Sequence, residues 1–446
     1  MSMTKEIAKR ILSYAPYRFV NVGREFSQWL AKFENTREMS KKELQDLQWK
    51  SLTSMVREAY DQTHFYRDLY REHGFHPDDL KDWSDVNRIP IINKEMIRAA
   101  GKDVVSRKYS LNRLKPGTTS GTTGSSLTFY SNRMLEQREW AATCFLWGDV
   151  GYRPGDGRVE LRGLITDERV CIPDPYHRII RINVARMNKD NVGWIMEQIL
   201  QSGYEFIHAY PSSLSLLSKL LLETGLIGYY EPKALLIVSE MLHTFQELQI
   251  RKAFPGAPIH VHYGQSEKVV MAGRVEHSPY HFLPLYGFVE QHPVTGGVIG
   301  TSLINDVMPI IRYELADAVP GLVDSEEGPH YMFPSVSSID GRISEIMYKP
   351  NGDMVSSALL AIMVRGLSTI TACKFIQRKY DEIDIIVESA EPGHMVMDEM
   401  EKCISKLYAI FTNAMKFKVE IMERIPKTAA GKLKFVEVLM DQEEVK

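Results

Sequence analysis

The chain has 446 residues, 44% of them apolar and 25% charged, with a formal net charge of −3. That is the balance of a globular protein too long for one small domain, so a large domain plus a smaller one is expected. Near-neutral charge leaves no electrostatic footprint for nucleic acid or an anionic membrane surface and points to small-molecule partners. Four cysteines, Cys144, Cys171, Cys373 and Cys403, include no CxxC pair, against a zinc knuckle or a disulfide framework. The opening MSMTKEIAKR is charged, unlike a secretory signal, and no stretch reaches the roughly 18 uncharged residues of a membrane helix. A cytoplasmic protein with no membrane span is the expectation.

In chain order, Ser40 to Lys50 is charged and helix-like, and Leu52, Met55, Val56, Ala59, Tyr60, Tyr66, Leu69 and Tyr70 continue at helical spacing, predicting a helix from Ser51 to His73. Pro turns follow at Pro77 and Pro90, and a Gly-rich loop precedes the strand-like run Leu127-Thr-Phe-Tyr. Between about residues 140 and 340, helical stretches (Trp194 to Leu200, Leu214 to Leu222) alternate with short apolar runs (Leu235 to Val238, Ile259 to His262), which reads as α/β. After Gly341 come a hairpin signal at Asn351-Gly352, an alternating strand at Ile383, Ile385 and Val387, a helix through Met397, Met400, Ile404 and Leu407, and a strand at Phe417, Val419 and Ile421. This tail reads as a separate small α+β domain.

Six segments carry chemistry. His64 and Asp68 have the HxxxD spacing that some acyltransferases use with His as base, but they lie in a helical run. Thr118 to Ser126 consists only of Ser, Thr and Gly. Its hydroxyls and two glycines suit a loop wrapped around a polyphosphate, and a flexible surface loop is the alternative. It is not a Walker A loop, since no Gly-Lys-Ser/Thr closes it. His262-Tyr263-Gly264-Gln265-Ser266-Glu267 follows an apolar run; it offers a ring to stack a base, a hydroxyl for phosphate and a carboxylate for Mg2+, or else a plain strand end. Pro309 to Asp317 and Asp340-Gly341-Arg342 supply an acid suited to a ribose diol and an Arg able to add donors, with a turn cap and a surface cation as alternatives. Finally, Pro426-Lys427-Thr428-Ala429-Ala430-Gly431-Lys432 places an ammonium on a Gly-containing loop, where it can offset developing charge or sit as a solvated basic turn.

These segments, TTSGTTGSSL, HYGQSE, PIIRYELAD, DGR and PKTAAGK, together with Ala59-Tyr60 and His64 to Arg67, resemble in order the adenylate-forming superfamily of acyl-coenzyme A synthetases and adenylation domains. Within it the chain is similar to phenylacetate-coenzyme A ligases and their capsular-polysaccharide relatives. The resemblance implies a large α/β N-terminal domain (1–342) and a small mobile α+β C-terminal domain (343–446) that rotates between two half-reactions. It implies that Thr119, Ser120, Gly121, Thr122, Thr123 and Gly124 hold the ATP phosphates, that Tyr263 lies against adenine, that Gly264 belongs to the nucleotide site, that Ser266 contacts phosphate and that Glu267 holds Mg2+. Asp317 and Arg342 would bind ribose, and Lys432 would bridge the substrate carboxylate and the α-phosphate. His208, Tyr210, Ser239 and Glu240 match in order the segments that line the acid pocket; His208 and Tyr210 as core residues at a strand end is the alternative.

Three departures stand out. No lysine follows the phosphate loop, Leu315-Ala316 replaces the usual Thr-Gly before Asp317, and Ser344 occupies the hinge position. The implied activity is formation of acyl-AMP from ATP and a carboxylic acid, then transfer to a thiol such as coenzyme A, or to an amine or carrier protein. A non-catalytic nucleotide-binding protein is a further alternative, and a homodimer is left open.

Overall fold

The computed structural model describes residues 22–118, 127–162, 168–239, 242, 244–293, 297–319, 321–324, 333–339, 346–356, most of 360–425, and 435–440. Among the described residues two helices come first, α1 (Arg24–Asn35) and α2 (Lys41–Gln62). The second opens on a reciprocal cap: Ser40 Oγ accepts the Glu43 N–H and the Glu43 carboxylate accepts the Ser40 N–H, satisfying donors that a helix start leaves orphaned. Where the periodicity predicts one helix from Ser51 to His73, the structure breaks it at Thr63. This residue is extended (φ −124°, ψ 149°) and starts α3 (His64–Glu72). Its hydroxyl donates to the Ala59 carbonyl at 2.8 Å and accepts the Tyr66 N–H at 3.1 Å, so one side chain closes α2 and caps α3. Both helices still bury one continuous set, Leu52, Met55, Val56, Ala59, Tyr66, Leu69 and Tyr70. A short α4 (Lys94–Ala100) follows.

Strands β1 (Lys115–Thr118) and β2 (Thr128–Ser131) form an antiparallel hairpin, and α5 (Arg133–Trp147) comes next. The α/β region then builds β3 (Arg158–Arg162), β4 (Cys171–Asp174), β5 (Ile179–Asn183), α6 (Val192–Ser202), β6 (Phe206–Ala209), α7 (Pro211–Thr224), β7 (Ala234–Val238), α8 (Thr244–Ala253), β8 (Ile259–Gly264), β9 (Met271–Val275) and β10 (Tyr280–Phe282). Strands β5, β3, β6, β7 and β8 lie side by side and parallel, as the alternating pattern predicts. One face packs Val159, Leu161, Ile207, Leu235, Ile237 and Ile259 with buried residues of α6, α7 and α8. The other packs Phe206, Ala234 and Leu236 with Trp147 of α5.

A three-stranded sheet of β11 (Gly287–Gln291), β12 (Gly297–Ser302) and β13 (Tyr313–Ala318) lies beyond. Short β14 (Val323–Asp324) and β15 (Pro334–Val336) complete the edge of the ten-stranded sheet. The C-terminal region has its own core of Met347, Val355, Phe375, Ile383, Ile385, Val387, Val396, Met400, Leu407 and Phe411. It contains the hairpin β16 (Ile346–Tyr348) and β17 (Met354–Ser356), turning at Gly352 with φ +82°, a left-handed position that suits glycine. Strands β18 (Ala372–Lys379) and β19 (Glu382–Glu388), helix α9 (Gly393–Phe411), β20 (Lys416–Met422) and β21 (Val436–Val438) complete it, in the sheet order β20-β19-β18-β21. The expected large α/β region and smaller sheet domain are both present.

Candidate functional site

Parallel sheets bind ligands in the crevice beyond the carboxyl ends of their strands. Here those ends are Arg162 on β3, Ala209-Tyr210 on β6, Val238-Ser239 on β7 and Tyr263-Gly264 on β8. Ser239 takes φ +68°, unusual for a residue with a side chain, so the chain turns sharply as it leaves β7. At β8 the structure brings together two residues read from separate motifs. The Tyr263 hydroxyl donates to the Asp317 carboxylate on β13 at 2.7 Å. Burial, with Asp317 adding negative charge beside it, pushes the Tyr263 phenol well above its ordinary value, so it stays a donor. Its ring is half-buried edge-on to Phe282, with centroids 6.1 Å apart, and Gly264 and Ser266 beside it are exposed. A half-buried ring next to a tethered carboxylate is the arrangement a base and its ribose need.

Asp317 is aimed by the segment before it. Arg312, at φ +45° and 4% exposed, forks onto Glu290 at 3.0 and 3.1 Å and donates to the Ile89 carbonyl at 2.6 Å. Its backbone N–H donates to Thr301 Oγ1 at 2.9 Å. The PIIRYELAD segment thus divides its labour, with Arg312 bracing the strand and Asp317 facing the site.

The turn carrying Glu267 is pinned from beneath. Lys268 sits at φ +59°, its N–H donating to the Gln265 carbonyl at 3.0 Å and its carbonyl accepting Ser302 Oγ at 2.6 Å. Asn305 Nδ2 donates to the Glu267 carbonyl at 3.3 Å. Gly287 and Gly300 let β11 and β12 approach Val269 and Val270: a Cβ on Gly287 would fall 2.3 Å from the Val269 carbonyl oxygen. Among the described residues no group of three or more His, Cys, Asp or Glu could hold a metal alone. One half-buried carboxylate at an open turn fits Mg2+, which is commonly held by one or two carboxylates together with substrate phosphates.

Towards the other end of the row of parallel strands, on the α5 face of the sheet, lies a charged cluster that the motif reading misses. Glu160 accepts from Arg158 at 2.8 and 3.1 Å and meets Arg181 at 3.3 Å and Arg162 at 3.4 Å. His208, in register with Glu160, has Nδ1 3.6 Å from that carboxylate and its ring 4.9 Å from Trp147. Burial pushes the His208 imidazole down to about 4 against the pull of Glu160, so it is neutral near pH 7. Burial alone would raise the Glu160 carboxyl, but His208 and the Arg158 and Arg162 guanidinium groups hold it well below the usual carboxylate range. The signal in the sequence is the alternation Arg158-Val-Glu160-Leu-Arg162, which puts three charges on one face of a strand.

Of the predicted residues, Tyr263, Gly264, Ser266, Glu267, His208, Tyr210 and Ser239 therefore sit at or beside the strand ends, and Asp317 meets them from β13. Thr119 to Gly124, Glu240, Arg342, Ser344 and Lys432 lie outside the described residues; the flanks of the Ser/Thr/Gly loop are the paired ends of β1 and β2, Thr118 opposite Thr128. His64 and Asp68 are exposed on α3.

Residues 347–438 match the family profile described as the CapK C-terminal domain. A curated relative, Protein CapK of Staphylococcus aureus, is 21% identical over 373 residues, 79% of this chain and 80% of that protein. A solved structure of 2-hydroxyisobutyryl-CoA ligase with 2-HIB-AMP and CoA in the thioesterification state superposes with a TM-score of 0.60 at 17% identity, covering 90% of this chain and 91% of that one. The same ligase in the postadenylation state with R3-HIB-AMP gives 0.54 at 16% identity, covering 89% and 90%. The fold is that of these adenylate-forming ligases.

Proposed function

We propose that this chain, a CapK-like protein with the fold of the adenylate-forming ligases, converts a carboxylic acid and ATP to acyl-AMP and pyrophosphate, then passes the acyl group to a thiol, coenzyme A. The observation that carries the reading is the contact between Tyr263 and Asp317, which joins two motifs 54 residues apart at the strand ends. It is supported by the fold shared with a ligase solved with an acyl-AMP and CoA. The phenylacetate-CoA ligase branch and a cytoplasmic setting are part of the proposal.

Tyr263 packs against adenine, and Asp317 accepts the ribose hydroxyls with Arg342. Thr119 to Gly124 hold the phosphates through backbone N–H groups and hydroxyls, because no lysine follows that loop. Glu267 and Ser266 face the same phosphates, and Mg2+ held at Glu267 supplies charge neutralisation there. An oxygen of the acid attacks the α-phosphorus in line as the bond to the bridging oxygen of pyrophosphate breaks, and Lys432 offsets the charge between them. In the second step the thiol sulfur attacks the acyl carbon and AMP leaves. The small domain, beginning at residue 343 with Ser344 as hinge, turns between the two steps.

The test is acid-dependent ATP–pyrophosphate exchange over a panel of carboxylic acids, repeated with Lys432→Ala. Exchange that needs an acid and is lost in the variant supports the reading; exchange without acid, or undiminished exchange in the variant, rules it out. Coenzyme A consumption, set against transfer to an amine, assigns the acceptor.

A further inference from the structure

The charged cluster on the α5 face is unevenly satisfied. Two carboxylates, Glu160 and Asp174, are shared by three guanidinium groups. Arg158 reaches Glu160 at 2.8 Å and Arg181 reaches Asp174 at 3.0 Å, both ordinary charge-assisted hydrogen bonds. Arg162 makes only 3.4 Å approaches, to Glu160 and to His208 Nδ1, and it is the member at the carboxyl end of its strand, with 31% of its side chain exposed. The Tyr210 ring lies 5.8 Å from its guanidinium carbon. The least satisfied cation therefore stands at the mouth of the crevice.

A second observation points the same way. His262 lies on the same face of the sheet, two residues beyond His260, which is aligned through Leu236 with His208. Its Nδ1 is buried without a hydrogen-bond partner. Arg162 ends β3, and β6 and β7 separate that strand from β8, where Tyr263 sits. Three strand spacings put Arg162 about 14 Å from the nucleotide end of the crevice. An acid with its carboxyl at the nucleotide would extend along these strand ends towards Arg162, past His262.

We infer that Arg162 receives a second hydrogen-bond-accepting group on the acid, remote from the activated carboxyl, so that the substrates are ω-carboxy or ω-hydroxy acids rather than hydrocarbon acids. A hydrocarbon tail would strip water from the Arg162 guanidinium without giving it a new partner, and would leave the His262 nitrogen as unpartnered as before; polar groups left in that state weaken binding. A carboxylate tail answers the excess guanidinium best. This inference rests on the acid-activation reading above.

The experiment is ATP–pyrophosphate exchange with matched acids of each chain length from four to eight carbons, as the hydrocarbon, ω-hydroxy and ω-carboxy forms, using the intact protein, Arg162→Leu and Arg162→Lys. The expected result is a kcat/KM at least tenfold higher for the best ω-substituted acid than for its hydrocarbon match, carried mainly by KM. Arg162→Leu is expected to collapse that ratio, and Arg162→Lys to restore part of it. Hydrocarbon acids used as well or better, or an Arg162→Leu variant that lowers every acid alike, overturns the inference and leaves acid activation standing. Exchange with no acid at all overturns both.

Discussion

At the scale of single residues the site is defined by which polar groups hold each other and which are left for a ligand. Asp317 is held by one hydroxyl, from Tyr263, and a carboxylate has acceptor capacity for more. Asp317→Ala is expected to raise the KM for ATP by tenfold or more, about 1.4 kcal/mol, with the fold intact by circular dichroism; an unchanged KM would remove Asp317 from the nucleotide site. The buried histidines set a pH dependence. His208 and His262 are pushed down by burial to about 4 and about 3, whereas in the unfolded chain each titrates near 6.5. As pH falls below about 6.5 the unfolded chain takes up protons that the folded one refuses, so stability falls from there towards pH 4. Glu160, held below the carboxylate range, adds to the loss below its ordinary value. Thermal melts from pH 7 to 5 should show a falling Tm, and His208→Gln should flatten the slope; an unchanged slope would place the titration elsewhere. The charged alternation of β3 was legible in the sequence. Its partners were not, because Arg181 and His208 come from other strands.

At the scale of elements, the helices and strands of both regions follow hydrophobic period closely, and the exception shows why period is not enough. Leu52 to Tyr70 keep helical spacing across Thr63 because α2 and α3 bury into one core, so the pattern carries no mark of the break. The mark is the side chain at 63, with its two local hydrogen bonds. Thr63→Val is expected to cost about 1 kcal/mol by removing both, read as a lower midpoint in urea with unchanged slope. Gly287 belongs to the site through its element. The 2.3 Å approach a Cβ would make to the Val269 carbonyl oxygen is to backbone that cannot swing aside. Gly287→Ala should therefore destabilise by about 1–3 kcal/mol and, by shifting the segment after Glu267, raise the KM for ATP; a fully stable variant with normal kinetics would contradict this role. The HYGQSE segment stands out in the sequence and the structure carries it at the end of β8, while the glycines and Asn305 that set the turn are visible only in three dimensions.

At the scale of the whole molecule, the small C-terminal region touches the large one through an ion pair between Lys219 on α7 and Asp353 beside the β16-β17 turn. Burial lowers the neighbouring Lys349 ammonium, with Asp353 pulling the other way. Lys219 is 37% exposed, so solvent screening limits the pair to less than about 1 kcal/mol. Lys219→Ala is expected to change the ratio of thioester formation to pyrophosphate exchange by up to about fivefold, and the exchanged pair Lys219→Asp with Asp353→Lys to restore it. An unchanged ratio in the single variant would make the contact irrelevant to the order of the steps. The bipartite architecture was foreseen from the change of pattern after Gly341, but the pairing of residues 219 and 353 has no local signature in either segment. Acyl-AMP formation requires an acid oxygen to attack the α-phosphorus. The direct measurement supplies an accepted acid with both carboxyl oxygens as 18O, with ATP and coenzyme A, and weighs the products. Attack at the α-phosphorus leaves one 18O in AMP and none in pyrophosphate; label appearing in inorganic phosphate with release of ADP, or AMP free of label, would rule that step out.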